Sequence, residues 1–193
     1  GQRRTASISL DNVNGDYDYA YNKLWFGQEI AIDEGIVLPS GEIYYIQQGV
    51  FLLTNPQEQI TPSGRTATYN LVDKWANLDG TLYGILDSDY TVQVGTNIFT
   101  AISALLTQNK GNGVVLDNVA PAFTDYYNGK NTTLPGGAVE PVLNAPYDLY
   151  INAGQTLDKV VTGLTDMLAA WVGYDAAGAL RVEASQDDID DAT

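Results

Sequence analysis

The densest potential for chemistry lies near the start of the chain. Asp11, Asn14, Asp16 and Asp18 set four oxygen-bearing side chains around Gly15. A calcium loop needs about six oxygens converging on one point and a glycine for the sharp turn. The spacing here does not fit the every-second-residue pattern of an EF-hand loop. A hairpin turn that uses Asn, Gly and Asp for their backbone freedom is the better reading. Asp187, Asp188, Asp190 and Asp191 are a poorer metal candidate, because contiguous carboxylates in a tail rarely preform a cage. Glycoside hydrolysis would need two carboxylates flanking the scissile bond, one with its pKa raised by its surroundings. Among 24 Asp and Glu no pair stands out. Glu29, Glu34 and Glu42 fall in or beside strands, where solvated outward positions are the default.

Aromatic residues offer a different chemistry. The chain has 13 Tyr and 3 Trp. Tyr17, Tyr19 and Tyr21 recur with a period of two, which puts three rings on one face of an extended segment. Tyr126 and Tyr127 sit in an irregular stretch of the kind that often forms an interaction surface. Ordinary packing in a core or on a sheet ranks first for such residues, a protein interface second and sugar stacking third. Trp75 and Trp171 read most simply as core residues.

The missing residue types narrow the function. With neither Cys nor His, the chain has no disulfide framework, thiolate metal site, Ser-His-Asp triad or histidine proton shuttle. Its glycines form no phosphate loop, so no nucleotide or other cofactor is expected. A balance of 9 basic to 24 acidic residues, net −15, argues against nucleic-acid binding, which needs clustered Lys and Arg. No apolar stretch approaches the roughly 20 residues that span a bilayer, so no membrane insertion is expected. There is no signal peptide, and Gly1 in place of Met suggests an excised part of a longer protein.

These side chains must be positioned by an α+β, mainly β fold. Residues 5–10, 28–37, 42–53 and 65–72 read as strands, the third interrupted at Gln47-Gln48-Gly49, with a polar loop over 55–64. Their alternation and turn chemistry predict an antiparallel β-barrel or sandwich. Two amphipathic helices break the pattern. One follows Thr96 as N-cap, with Ile98, Phe99, Ile102, Leu105 and Leu106 at helical spacing. The other runs from Thr156 with Leu157, Val160, Val161, Leu164, Met167, Leu168 and Trp171, ending at Gly173. Each is introduced by a strand, a Gly turn and a Thr, about 60 residues apart, the scale of a supersecondary repeat. Two short strands then flank the turn Asp175–Gly178. The expected organisation is a strand-rich lobe over 1–95, a helix-containing lobe over 96–186 on the same core, and an acidic tail or linker over 187–193.

Four stretches carry a resemblance: Arg4–Leu10 with the turn Asn14-Gly15-Asp16-Tyr17, Gly49–Leu53 followed by Arg65–Lys74, Tyr90–Thr96 ahead of a helix, and the ending Gly173–Leu180. In these, and in the order of its elements, the chain resembles the hub, or baseplate, proteins that cap the tail tube of tailed bacteriophages and prophages. It implies a non-catalytic, barrel-like hub domain in the virion tail, assembled in the bacterial cytoplasm. It also implies a ring of identical subunits, usually a trimer, in contact with other tail proteins. Strand edges and tyrosine-bearing surfaces, with Tyr17, Tyr19, Tyr21, Tyr126 and Tyr127 as candidates, would make those contacts. An acidic lumen would let DNA pass without being held. A carbohydrate-binding or adhesin module and a glycoside hydrolase are the rival readings. The first predicts an exposed aromatic row beside a groove, the second two carboxylates facing across a cleft.

Overall fold

Alternating small or apolar and polar residues build the first sheet. The computed structural model describes residues 4–18, 26–108, 115–116, 127, 129–133 and 136–184. In it β1 (Thr5–Asp11), β2 (Glu29–Val37), β3 (Ile43–Thr61) and β4 (Gly64–Asp73) pair antiparallel in the order β1-β4-β3-β2. Cross-strand neighbours share a face. Ala6 lies opposite Leu71, Ile8 opposite Tyr69 and Leu10 opposite Ala67. With Phe51, Leu53, Ile30 and Ile32 they form one apolar cluster. The other face of β1 and β4 is polar: the Ser9 and Thr68 hydroxyls lie 3.0 Å apart, and Ser7 donates to Asn70.

This sheet stays open, and the expected barrel is not formed by any sheet among the described residues. The reason lies in the stagger. β2 pairs with residues 43–52 of β3 and β4 with residues 51–61, so β3 is paired on both sides only around residues 51–52. β1 and β2 remain edges. β3 is also longer than its sequence predicts. The presumed interruption is a bulge that leaves Gln48 outside the register. The presumed loop is strand as far as Thr61 and contains Pro56. That proline is tolerated because beyond Leu53 the β2 side of β3 has no described partner, so its missing N–H breaks no ladder.

The chain divides into two compact units, Gly1–Ala76 with Tyr174–Gly178, and Asn77–Gly173 with Ala179–Thr193. In the first, Arg4 ties strand ends together. Its guanidinium donates to the Tyr174 and Asp175 carbonyls, both at 3.2 Å, and lies 5.7 Å from the centre of the Phe51 ring. Lys74 is buried with its Nζ 2.8 Å from Glu29 Oε1. Trp75, half-buried, meets Tyr174 edge to face at 6.2 Å.

In the second unit the main elements are β5 (Tyr90–Val92), α1 (Ile98–Gln108), β9 (Leu149–Ile151) and α2 (Leu157–Asp166). Shorter strands are β6 (Val115–Leu116), β7 (Asn131–Thr133) and β8 (Val139–Pro141). β10 (Ala170–Tyr174) and β11 (Ala179–Ala184) are the last described strands. β7 pairs with β8, and a three-stranded sheet has the order β10-β11-β6, with β11 parallel to β6.

The duplicated strand–turn–helix pattern becomes a pair of halves that close each other. β5 and β9 pair antiparallel about Thr91 and Tyr150. Backbone hydrogen bonds then repeat with the halves exchanged. Leu86 N donates to Gln155 O as Ala145 N does to Thr96 O, and Gly154 N to Leu86 O as Gly95 N does to Ala145 O. Leu157 N donates to Gly84 O as Ile98 N does to Leu143 O. Carboxylates follow the same exchange: Asp89 accepts from Ala153 N at 2.8 Å, and Asp148 from Val94 N at 2.7 Å. Helices α1 and α2 lie against each other, and Ile98, Ile102 and Leu105 on the first and Leu157, Val160, Val161 and Leu164 on the second are all buried.

Two helix boundaries differ from expectation. Asn97, not Thr96, caps α1, its Oδ1 accepting from Thr100 N at 3.1 Å. α2 stops at Asp166, where Ala169 turns the chain at φ 51 into β10. Trp171 therefore lies on a strand and is 51% exposed, not in the core.

Asp148 makes one of these exchanged bonds sensitive to acid. The Tyr150 hydroxyl and the Val94 N–H hold its pKa below the ordinary carboxylate value. A depressed folded-state pKa gives stability that is present above the unfolded value, about 3.9, and lost as pH falls through the folded one. Asp148→Asn should therefore lower stability at pH 7 and flatten its decline below about pH 4. Urea denaturation of both proteins at a series of pH values measures this.

Candidate interaction surfaces

The acidic turn at the start of the chain is an internal scaffold. Asp18, 6% exposed, spends its two oxygens on Asn12 Nδ2 and Arg65 Nη2, each at 2.7 Å. Arg65 also reaches Glu58 at 3.0 Å, and the buried Asn12 accepts from Tyr17 N at 2.8 Å. The guanidinium takes the place a cation would occupy against Asp18. Among the described residues no three His, Cys, Asp or Glu side chains gather as metal ligands would.

The tyrosines named from the sequence have different fates. Tyr17 is partly exposed, and its carbonyl accepts from the Tyr69 hydroxyl. Tyr127 is buried, its hydroxyl donating to Leu168 O at 2.6 Å. Tyr19, Tyr21 and Tyr126 lie outside the described residues, as does the acidic tail 187–193. The carboxylates considered for hydrolysis are placed separately: Glu29 pairs with Lys74 of the first unit's interior, and Glu34 accepts from Gln48 Nε2 at 3.2 Å.

A surface that local spacing did not single out is the far end of the β2–β3 hairpin. Every residue from 33 to 48 is exposed, on both faces of a two-stranded ribbon. Ile36 lies opposite Tyr44 and Glu34 opposite Ile46 on one face; Val37 lies opposite Ile43 and Gly35 opposite Tyr45 on the other. The Tyr45 ring lies over Gly35, where an added Cβ would come within 3.3 Å of it. Val37, Tyr44 and Tyr45 are 70, 60 and 62% exposed. A two-stranded ribbon is only marginally stable in water, and exposed apolar patches of this kind mark contact sites. The sequence signal was present in Ile43-Tyr44-Tyr45-Ile46. Four consecutive apolar residues leave a strand no polar face.

No helix among the described residues is long and apolar enough to cross a membrane. No family model and no curated protein matches the chain. Among solved structures the chain is similar to the 43 kDa tail protein of prophage MuSo2 from Shewanella oneidensis. Identity is 15%, coverage 94% of this chain and 44% of that one, and the TM-score 0.49. It is also similar to a tail protein from Neisseria meningitidis MC58, with 13% identity, coverage of 93% and 45%, and a TM-score of 0.44. The chain thus spans less than half the length of each.

Proposed function

We propose that this chain is a non-catalytic structural part of a phage or prophage tail, in its hub or baseplate. It acts through contacts with copies of itself in a ring and with other tail proteins. The observation that carries the reading is the exposed 33–48 ribbon, whose seven large apolar side chains on and beside two faces are left without cover by the first unit. The sequence resemblance supplies the setting: its four motifs run from the first strand to the last hairpin. Two of the carboxylates weighed for metal or hydrolytic chemistry are paired with cations, Asp18 with Arg65 and Glu29 with Lys74.

The test is genetic and biochemical. Deleting the gene should yield particles that lack tails or carry tails halted before baseplate completion. Mass spectrometry of purified wild-type tails should find the chain at a fixed copy number. Its absence from purified tails, or normal tails without it, would overturn the reading.

A further inference from the structure

The exchanged halves of the second unit share a backbone frame but not the surface beside it. Between β5 and the start of α1 lies a groove of about 320 Å³, walled by Tyr90 and Val92 on the strand and by Thr96, Thr100, Ala101 and Ala104 on the helix side. Thr91 and Gln93 complete its lining. No ionised side chain is among them, in a chain with 24 acids. Its polar lining residues are threonines, a tyrosine and a glutamine, and its apolar ones are Val92, Ala101 and Ala104.

The other half builds the same frame with a different lining. Placing Asp148 on Asp89 and Gly154 on Gly95 sets Leu149, Gln155, Lys159 and Gly163 at the positions of Tyr90, Thr96, Thr100 and Ala104. There the space is filled. Leu149 methyls lie 3.4 and 3.5 Å from where a Cβ on Gly163 would be, and Lys159 Nζ donates to the Gln155 amide across the helix entry. The frame therefore does not require short hydroxyl residues, and in the first half they leave a groove open. Tyr90 is the wall that could pack against a ring. Its hydroxyl donates to Ala101 O at 3.4 Å, and burial raises its pKa above the ordinary tyrosine value.

We propose that the β5–α1 groove binds a single neutral sugar ring, with Tyr90 and Ala104 against its C–H face and the Thr96 and Thr100 hydroxyls and the Gln93 amide at its hydroxyl edge. A neutral, hydroxyl-rich ligand with an apolar face matches a lining that offers donors, acceptors and no charge. The inference stands apart from the tail assignment and survives or fails without it.

The experiment is amide NMR of the whole chain, titrated separately with glucose, galactose, N-acetylglucosamine and maltose. The control is the double variant Thr96→Gln with Thr100→Lys, which carries residues the other half already accommodates. At least one sugar should give saturable shifts at Thr91, Gln93, Thr100 and Ala104 with a Kd on the order of 1 mM. The double variant should keep its spectrum elsewhere and bind at least about 10-fold more weakly. No shift with any of the four sugars, shifts away from the groove, or equal binding by the folded double variant would overturn the proposal. Should the double variant fail to fold, Ala104→Leu is measured in its place, with the same outcomes deciding.

Discussion

Gly84→Ala should cost the second unit about 3–5 kcal/mol, a loss of the size reserved for a named structural failure. Gly84 sits at φ +93, where a side chain is strained. Its Cβ would also come within 2.6 Å of the Asn77 and Leu78 carbonyl oxygens. Neither side can yield, because this stretch starts α2. The Leu157 and Asp158 N–H groups, which a helix leaves without intrahelical partners, donate to Gly84 O at 2.7 Å and Leu78 O at 3.0 Å. The Thr156 side chain, bonded to the Asp158 carboxylate, makes no capping bond to the backbone. Loop carbonyls do that work, so displacing them loosens both the loop and the helix. Gly95→Ala is the control. That residue also has positive φ, but nothing lies within 4 Å of an added Cβ, so the cost should be only the conformational one, about 1–2 kcal/mol. Urea midpoints compare the two. Equal losses would mean that contact at Gly84 contributes nothing.

How far the sequence carries follows from which information is local. Period-two alternation in Thr5–Asp11 and Gly64–Asp73 and the helical stripes at Ile98–Leu105 and Leu157–Leu164 were legible, because each element's own residues encode its buried face. The turn Asp175–Gly178 was legible for the same reason, its bond from Gly178 N to Asp175 O needing only local chemistry. Pairing register is not local. Whether β3 ends at Leu53 or passes through Pro56 depends on its pairing with β4, which continues to Thr61, past the point where β2 begins. Trp171 shows the limit of a stripe. It fits the α2 period, yet the Ala169 turn moves it onto a strand and into solvent.

The candidate surfaces divide along the same line. The acidic turn could be read as a turn from Asn14-Gly15, but Arg65 as the partner of Asp18 lies 47 residues away and carries no local signal. The repeat was visible as a strand, glycine and helix occurring twice. That each copy completes the other, with Asp89 and Asp148 exchanged, could not be read from either copy alone. This mutual closure makes the second unit a single cooperative body in which substitutions in the two halves should couple.

Substituting both faces of the 33–48 ribbon should abolish assembly and leave the fold intact. Ile36 and Tyr45 lie on opposite faces and are 45 and 62% exposed, so Ile36→Asp and Tyr45→Asp remove little burial within the subunit. Surface changes of this kind usually stay within about 0.5 kcal/mol of neutral. At an interface the balance reverses. Truncating a buried aromatic anchor costs about 2 kcal/mol or more, and an aspartate adds the desolvation of a charge beside Glu34, Glu42 and Asp33. The double variant of the full-length protein should associate at least about 100-fold more weakly in sedimentation velocity. It should also fail to restore tails to a deletion strain. The single variants carry the sharper information. A ribbon laid flat on a neighbour would lose affinity to one substitution and ignore the other, whereas a ribbon clasped between two surfaces would lose it to each. Apolar side chains on both faces favour the clasp. Unchanged association of the folded double variant would remove the ribbon from assembly altogether.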